Sequence, residues 1–286
     1  MRSILIVPIF LALATPGFAS DGVLEINQVC AVSAGCFPGD AAGFPVTVSQ
    51  SGSYRLTSNL TVPNENTTAV SVTASSVTFD LGGFEIRGPN SCAGLPPPGP
   101  FVTCTLTGTG HGVEVLGDRS RIFNGSVRGM GSVGIYAPAT GVAGGHVVHD
   151  VRVSHNRYQG IRLDGDSAAV RNVTAMLNGE RGIYLTGRGG AVEGNTVSTN
   201  GSSGIAVGAH TIVSGNSVYG NALDGITTNL ACTIQGNIAG SNGGFGLNLD
   251  FASDYKANKI VFNVSGTVLG GINMGGNSCE ATATCP

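Results

Sequence analysis

The side chains that could exchange protons or bind an anion are concentrated in one stretch of the sequence. Nine of the twelve arginines lie between residues 119 and 188, and four of the five histidines lie between residues 111 and 155. Arginine binds carboxylates through paired N–H donors, and histidine changes charge near neutral pH. If the chain has a functional site, we expect it within residues 111–188.

A short repeated motif determines which of these side chains are neighbours. An asparagine is followed four residues later by a glycine and an apolar residue, at steps of 21 or 22 residues, in the pairs Asn156/Gly160, Asn178/Gly182, Asn200/Gly204, Asn221/Gly225 and Asn242/Gly246. A second polar column follows Asp150, Asn172, Asn195, Asn216, Asn237 and Asn258. One such repeat cannot bury its own apolar face, so the repeats must stack on each other.

The repeats predict an all-β fold in which each repeat is one coil of a parallel β-helix (β-solenoid). Short β-branched runs are broken by Gly and Asn, which is typical of strands joined by turns. We expect about eight or more coils of 21–26 residues, with apolar pairs such as Ile161/Leu163 pointing inward. The asparagines should occupy left-handed turn positions and bond amide to amide along the axis.

The pattern Asn-x4-Asn-x3-Gly-Ile, at Asn195, Asn200, Gly204 and Ile205, resembles the right-handed parallel β-helix repeat of the pectate-lyase-like superfamily. The resemblance covers roughly residues 70–275 and implies a right-handed coil. That superfamily includes polysaccharide lyases, hydrolases and epimerases, phage tailspikes and adhesins. The fold alone therefore does not name a reaction.

The chain divides into four predicted segments. These are a signal peptide at 1–19, an N-terminal cap with entry strands at 20–68, the parallel β-helix at 69–275 with a loop at 90–109, and a C-terminal disulfide cap at 276–286. Arg2, the apolar run from Ile4 to Ala14 and the small residues before position 20 predict cleavage near Ala19. We expect a secreted or periplasmic protein, since no later apolar run is long enough to span a membrane.

Six of the seven cysteines occur in close pairs. In an oxidising compartment this spacing predicts three local disulfides, Cys30–Cys36, Cys92–Cys104 and Cys279–Cys285. Cys232 remains and lies in an apolar setting, so we expect a buried free thiol.

The repeat register predicts a row of outward side chains on successive coils. In the pattern Gly-Ile-x-Leu, the x position points outward and gives Glu114, Tyr136, Arg162 and Tyr184 in order. Aromatic rings beside a guanidinium suit the binding of an acidic sugar. The predicted substrate-binding residues are those along and beside this row, namely Tyr136, Tyr158, Arg181, Glu114 and Asp164.

The residue types weigh against some reactions. Glycoside hydrolysis needs two suitably spaced carboxylates, and we find no convincing pair. The tripeptide Gly110-His111-Gly112 resembles a motif of polygalacturonase-type hydrolases, but that family's partner motifs are missing and we treat the match as chance.

A lyase or epimerase needs a base, a proton donor and a cation that neutralises the sugar carboxylate. The candidate catalytic residues for such a reaction are Arg162, Tyr184 and His155, and Asp164 with Asp166 could help to hold Ca²⁺.

Two classes of function therefore stay open. One is an exported protein that binds an acidic polysaccharide, with cleavage by β-elimination as its enzymatic form. The other is a non-catalytic exported scaffold or surface-interaction solenoid, favoured by the absence of tryptophan and of a known catalytic motif. A net charge of −3 and only two lysines argue against a nucleic-acid partner. The sequence does not determine the oligomeric state.

Overall fold

The structure, a computed structural model, describes residues 22–94, 102–139, 144–280 and 285. The predicted signal peptide and the proline-rich tip of the 90–109 loop lie outside these residues. One short helix, α1, spans Gln28–Ser33.

The remaining elements are short strands. The first half of the chain contains β1 Leu24–Ile26, β2 Val46–Val48, β3 Gly52–Leu56, β4 Leu60–Thr61, β5 Val70–Val72, β6 Val77–Asp80, β7 Glu85–Arg87, β8 Cys92–Ala93, β9 Thr103–Cys104, β10 Val113–Val115, β11 Arg121–Arg128, β12 Ile135–Ala137 and β13 Val147–Ser154. The second half contains β14 Ile161–Leu163, β15 Ala169–Arg171, β16 Thr174–Met176, β17 Ile183–Leu185, β18 Ala191–Glu193, β19 Thr196–Ser198, β20 Ile205–Val207, β21 Ile212–Ser214, β22 Ser217–Tyr219, β23 Ile226–Thr228, β24 Thr233–Gln235, β25 Ile238–Gly240, β26 Phe245–Asn248, β27 Asp254–Lys256, β28 Lys259–Val261, β29 Gly266–Leu269, β30 Ile272–Asn273 and β31 Ser278–Cys279.

The strands stack in parallel into a β-solenoid, which confirms the predicted fold class. Ten strands (β2, β5, β10, β12, β14, β17, β20, β23, β26 and β29) form one sheet. Nineteen others form a second, bent sheet to which each later coil contributes two strands. In the coil that begins with β14, for example, β14 pairs with β12, while β15 and β16 both pair with β13.

The core is a column of apolar side chains inside the coil. Ile161, Leu163, Ile183 and Leu185 are all at most 1% exposed, as the repeat register predicts. Successive residues of a strand point to opposite faces, so the residue between each inward pair faces solvent. The position of any site on this surface is therefore fixed by the coil register.

Two ladders of buried asparagines run along the axis. In the first, each side-chain Nδ2 donates to the Oδ1 of the next asparagine at 2.9–3.0 Å, through Asn156, Asn178, Asn200, Asn221, Asn242 and Asn263. The second joins Asn195, Asn216, Asn237, Asn258 and Asn277 in the same way. The expected amide-to-amide bonding is confirmed.

The turn geometry corrects two expectations about these asparagines. The left-handed residue is the one before each ladder asparagine, as at Leu177 and Thr199, with φ of 53° and 52°. The second column is also shifted by one residue at its start. Asn172 is itself left-handed, with φ of 52°, and the backbone N–H of Val173, one position later, donates to Asn195 Oδ1 at 2.8 Å.

Disulfides close both ends of the solenoid and the base of the loop. All three predicted bonds are present, Cys30–Cys36, Cys92–Cys104 and Cys279–Cys285, and Cys232 is a buried free thiol. The first strands, from Leu24 onward, lie within the 20–68 segment. Within the described ranges no helix has the length and apolar character needed to cross a membrane.

The loop at 90–109 leaves the coil as a hairpin, β8–β9, whose strands pair antiparallel at the disulfide. The hairpin packs on turns of later coils. Asn90 Nδ2 donates to the carbonyl of Met130 at 3.3 Å, and Arg157 Nε donates to Thr107 Oγ1 at 2.8 Å. The loop is thereby fixed beside the turn that connects β13 with β14.

Candidate functional site

Four outward side chains of the ten-stranded sheet form a continuous row, which we call the front ladder. Backbone register pairs Glu114 with Tyr136, Tyr136 with Arg162, and Arg162 with Tyr184. This is the order that the repeat spacing predicts. Neighbouring rungs of a sheet are about 4.8 Å apart, so the side chains contact each other directly.

The guanidinium of Arg162 is held between two tyrosine rings. Its Cζ lies 5.5 Å from the ring centroid of Tyr136 and 5.7 Å from that of Tyr184. Its Nε donates to both carboxylate oxygens of Asp164, at 2.9 and 3.1 Å. This hydrogen bond raises the pKa of Arg162, so the group stays cationic. The Asp164 contact is made through Nε, which leaves the two terminal nitrogens as donors for a ligand.

A cleft of about 400 Å³ opens beside the front ladder. It is large enough for a small ligand, for which sites of about 300–1,000 Å³ are usual. Its walls come from the turns that precede β10, β12, β14 and β17 and from two front-ladder residues. The lining residues are His111, Ser132, Val133, Tyr136, Tyr158, Gln159, Arg162 and Glu180.

His111 is neutral in this cleft at physiological pH. Burial is the main cause that lowers its pKa, to about 4, and the charge of Arg162 lowers it further. Its Nδ1 accepts the backbone N–H of Val133 at 3.3 Å. The neutral ring therefore carries its proton on Nε2. The ring also packs against Tyr136, with centroids 4.8 Å apart. His111 can act here as a hydrogen-bond donor to a ligand.

Tyr136 also stays protonated, because burial raises its pKa. Next to it, the amide of Gln159 donates through Nε2 to the Glu180 carboxylate. Glu180 is the acidic side chain of the cleft lining. The cleft thus combines one cation, one carboxylate and neutral O–H and N–H donors.

A second guanidinium lies at the end of the front ladder. Arg181 Cζ lies 4.5 Å from the ring centroid of Tyr184, the same ring that contacts Arg162. The ring of Tyr184 therefore holds two cations and is already engaged in this structure. Arg157 similarly lies 5.0 Å from the ring of Tyr158, and its bond to Thr107 ties this wall of the cleft to the hairpin.

The repeats match the family model described as right handed beta helix region, at residues 46–207 and 139–284. The chain belongs to the right-handed β-helix family. No curated protein matches its sequence.

Among solved structures this right-handed β-helix is similar to a mutant of the periplasmic alginate epimerase AlgG, with a TM-score of 0.57, 15% identity and 90% of this chain covering 82% of that one. It is also similar to the Dettilon tailspike protein, with a TM-score of 0.56 and 18% identity. That match covers 77% of this chain but only 45% of the tailspike. At these identities the comparisons show a common fold.

The other predicted site residues of the β-helix lie outside the cleft lining. Glu114 extends the front ladder by one rung beyond Tyr136, and burial raises its pKa. His155 lies after the end of β13, in the nineteen-stranded sheet, where burial and then Arg128 and Arg152 lower its pKa. It is thus not brought together with Arg162 and Tyr184.

The two aspartates proposed for calcium both accept hydrogen bonds within the protein. Asp164 accepts from Arg162 and also from Thr186 Oγ1 at 3.0 Å, and Asp166 Oδ1 accepts the backbone N–H of Arg188 at 2.7 Å. Ca²⁺ takes six to eight oxygen ligands. In the described part of the β-helix no three His, Cys, Asp or Glu side chains are grouped to hold a metal.

A larger cavity, of about 590 Å³, lies beside the N-terminal cap. It is lined by residues such as Gln28, Phe44, Asn59 and Thr67, and none of its lining side chains is titratable. The front-ladder cleft is smaller but holds the charged and proton-carrying groups, so it is the better candidate site.

Sequence reasoning missed four polar cleft residues, His111, Ser132, Gln159 and Glu180, and the apolar Val133. All four polar residues lie in the turns that lead into strands of the ten-stranded sheet. Each is within three residues of the strand that follows. The Gly110-His111-Gly112 tripeptide is the sequence feature that points to His111.

Proposed function

We propose that the front-ladder cleft of this exported β-helix binds an acidic polysaccharide and that Arg162 holds a carboxylate of the ligand. The observation that supports this most directly is the position of Arg162, a cation held between two tyrosine rings and facing a cleft. Stacking and the Asp164 contact fix the guanidinium in place, so little side-chain entropy is lost when a ligand binds.

The donors around Arg162 suit a sugar. His111 Nε2, the phenols of Tyr136 and Tyr158 and the amide of Gln159 can bond hydroxyl groups, and the cleft runs across several coils. The names of the structural neighbours support a polysaccharide ligand, since one is an alginate epimerase and alginate is an acidic polymer.

A matched pair of variants tests the binding proposal. Arg162→Gln should weaken binding of acidic polysaccharides about tenfold or more, because a hydrogen bond to a charged group contributes about 1.5–3 kcal/mol. Arg171→Gln removes the same charge from the other sheet, where Arg171 is already paired with Glu193 at 2.6 Å. Affinity electrophoresis in gels containing acidic or neutral polysaccharides measures both variants. Equal behaviour of the two variants would reject the proposed site.

A second candidate function is cleavage by β-elimination. The presence of Glu180 in the same cleft as Arg162 supports it. In this reaction Glu180 would take the proton from the carbon next to the sugar carboxylate, the C–O bond to the leaving sugar would break as a C=C bond forms, and a tyrosine O–H would protonate the leaving oxygen. Arg162 would stabilise the negative charge that develops on the carboxylate.

Cleavage is measured by the ultraviolet absorbance of the unsaturated product. The purified mature chain should generate this absorbance on an acidic polysaccharide, and Glu180→Gln should abolish it while binding is retained. Binding without product would leave a lectin-like protein. Absence of binding to every glycan would favour the scaffold function instead.

Export is part of the proposal and has its own test. Expression of the full chain followed by cell fractionation and mass spectrometry should find a protein that begins near Ser20 outside the cytoplasm. A full-length cytoplasmic product would reject both the cleavage site and the localisation.

A further inference from the structure

Three arginines lie together on neighbouring rungs of the nineteen-stranded sheet, and we call them the arginine cluster: Arg87, Arg128 and Arg152. Arg87 and Arg128 are register partners in β7 and β11. Arg152 is on the next rung, where it pairs with Ser126. All three face outward, because Ile86, Val127 and Val153 beside them are buried. The turn at Asn156 separates this surface from the front-ladder cleft.

The positive charge of the arginine cluster is largely uncompensated. Glu85 forms an ion pair with Arg128, at 3.8 Å from its Nε, so the cluster has one paired carboxylate for three guanidiniums. Arg152 donates to the thioether sulfur of Met176 at 3.1 Å, a weak acceptor. Among the residues that the structure describes, no carboxylate lies within 4.0 Å of Arg87 or Arg152. Like charges on facing strand positions destabilise a sheet unless an anion compensates them.

Two nitrogen atoms at the cluster are shielded from solvent and have no hydrogen-bond partner, Arg128 Nε and His155 Nδ1. Buried polar atoms in folded proteins normally have a partner, so each of these needs an explanation. His155 follows β13 directly, and its carbonyl accepts Asn90 Nδ2 at 3.4 Å, which ties its backbone to the base of the hairpin. His155 directly follows Ser154, the register partner of Arg128. Burial and the charges of Arg128 and Arg152 lower the pKa of His155.

The geometry points to a second anion site, formed by Arg87, Arg128, Arg152 and His155, that binds a sulfate or phosphate group. Donors that come from three successive rungs are not coplanar, so they can surround a tetrahedral oxyanion better than they can match a planar carboxylate. The bound oxyanion would accept from the guanidinium groups and compensate the three neighbouring charges. This site is separate from the cleft proposed to bind an acidic sugar.

The test follows the ring resonances of His155 by NMR while sodium sulfate or inorganic phosphate is added, with sodium chloride at equal ionic strength as reference. We expect saturable shifts with sulfate and phosphate and none with chloride. Arg128→Gln and Arg152→Gln should each weaken binding about tenfold or more, since both remove charged donors. Arg55→Gln is the matched control, because Arg55 lies on the same sheet and is paired with Asp80 at 3.6 Å. Arg162→Gln should leave the shifts unchanged.

Two further measurements identify the source of the bound sulfate or phosphate group and control for misfolding of the variants. Dextran sulfate that competes with inorganic sulfate would indicate a sulfated glycan, whereas competition by phosphate alone would indicate a free phosphate. Arg152 is exposed, so its variant should retain the circular dichroism spectrum even if that of Arg128 does not. Absence of saturable shifts in the unmodified protein, or an equal effect of Arg55→Gln, would overturn the proposal.

Discussion

His111 is held in its neutral form because the cleft disfavours a charged imidazole. Burial removes water from the ring and Arg162 repels a positive charge, and both effects favour the neutral state. They outweigh the backbone interaction with Val133, which acts in the opposite direction on the pKa. The residue is thereby kept as an N–H donor over the physiological range of pH.

The lowered pKa of His111 predicts an acid-sensitive stability. An unfolded histidine titrates near 6.5, whereas His111 in the folded chain has a pKa of about 4. Between these values the unfolded state binds the proton and the folded state does not, so stability falls as the pH is lowered from about 6.5 to about 4. The full effect of this one group is about 3 kcal/mol. Urea midpoints at about pH 7 and about pH 5 measure it.

His111→Gln should have a smaller loss of urea midpoint between the two pH values than the unmodified protein. His146 and His155 also have pKa values lowered mainly by burial, so part of the loss will remain. His210→Gln is the control, and an identical loss in the His111 and His210 variants would contradict the assignment.

The front ladder could be predicted from the sequence because its residues follow a strict coil register. Steps of 26 and 22 residues, read from the Gly-Ile motif of each coil, put Tyr136, Arg162 and Tyr184 in one row, and the backbone pairing agrees. The rest of the cleft could not be predicted in this way. Gln159 and Glu180 lie in turns, whose side-chain directions depend on turn geometry and not on the two-residue alternation of a strand.

In the repeated coil, the glycine column and the asparagine column pack against each other, so the residue type in one depends on the other. A Cβ added to Gly204 would lie 2.5 Å from Val218 Cγ1 and 2.7 Å from Asn221 Nδ2 of the next coil. The glycine is therefore needed for close packing, since Gly204 is not among the positive-φ residues. The sequence showed both columns, but not that each glycine makes room for the asparagine amide of the following coil.

Asn200→Ala should destabilise the solenoid by about 3 kcal/mol. The asparagine donates to Asn221 Oδ1 and to the carbonyl of Ala175, at 3.0 and 3.1 Å, and it accepts from Asn178. Truncation leaves buried partners unsatisfied, at a cost of about 1–3 kcal/mol for each group. Thermal unfolding followed by circular dichroism measures the change.

Asn229→Ala is the matched control for this substitution. Asn229 is exposed, and its side-chain oxygen accepts only the neighbouring backbone N–H of Leu230. We expect a change within about 0.5 kcal/mol. If Asn200→Ala were as mild as the control, the ladder would not be a main source of stability.

For the whole molecule, the positions of the charged residues describe the binding surfaces better than the net charge does. The net charge is −3, yet nine of the twelve arginines lie in residues 119–188, and the structure places four of them on two different surfaces. Arg162 and Arg181 lie at the front ladder, while Arg128 and Arg152 belong to the arginine cluster. The sequence revealed the concentration of charge but not this division, which depends on where each turn places its residues.

The stacked architecture also predicts how stability varies along the rod. Each coil contacts mainly its two neighbours, so protection from hydrogen exchange should follow local structure. Coils between about residues 195 and 263 carry both asparagine ladders, whereas the coil strands at 46–72 precede both. Backbone amides of β20 to β25 should therefore exchange more slowly than those of β2 to β5 in a mass-spectrometric experiment. In Asn200→Ala, protection should fall most in the coils at Asn178 and Asn221 and least in β2. A uniform loss over the whole chain would instead show that the solenoid opens as a single cooperative unit.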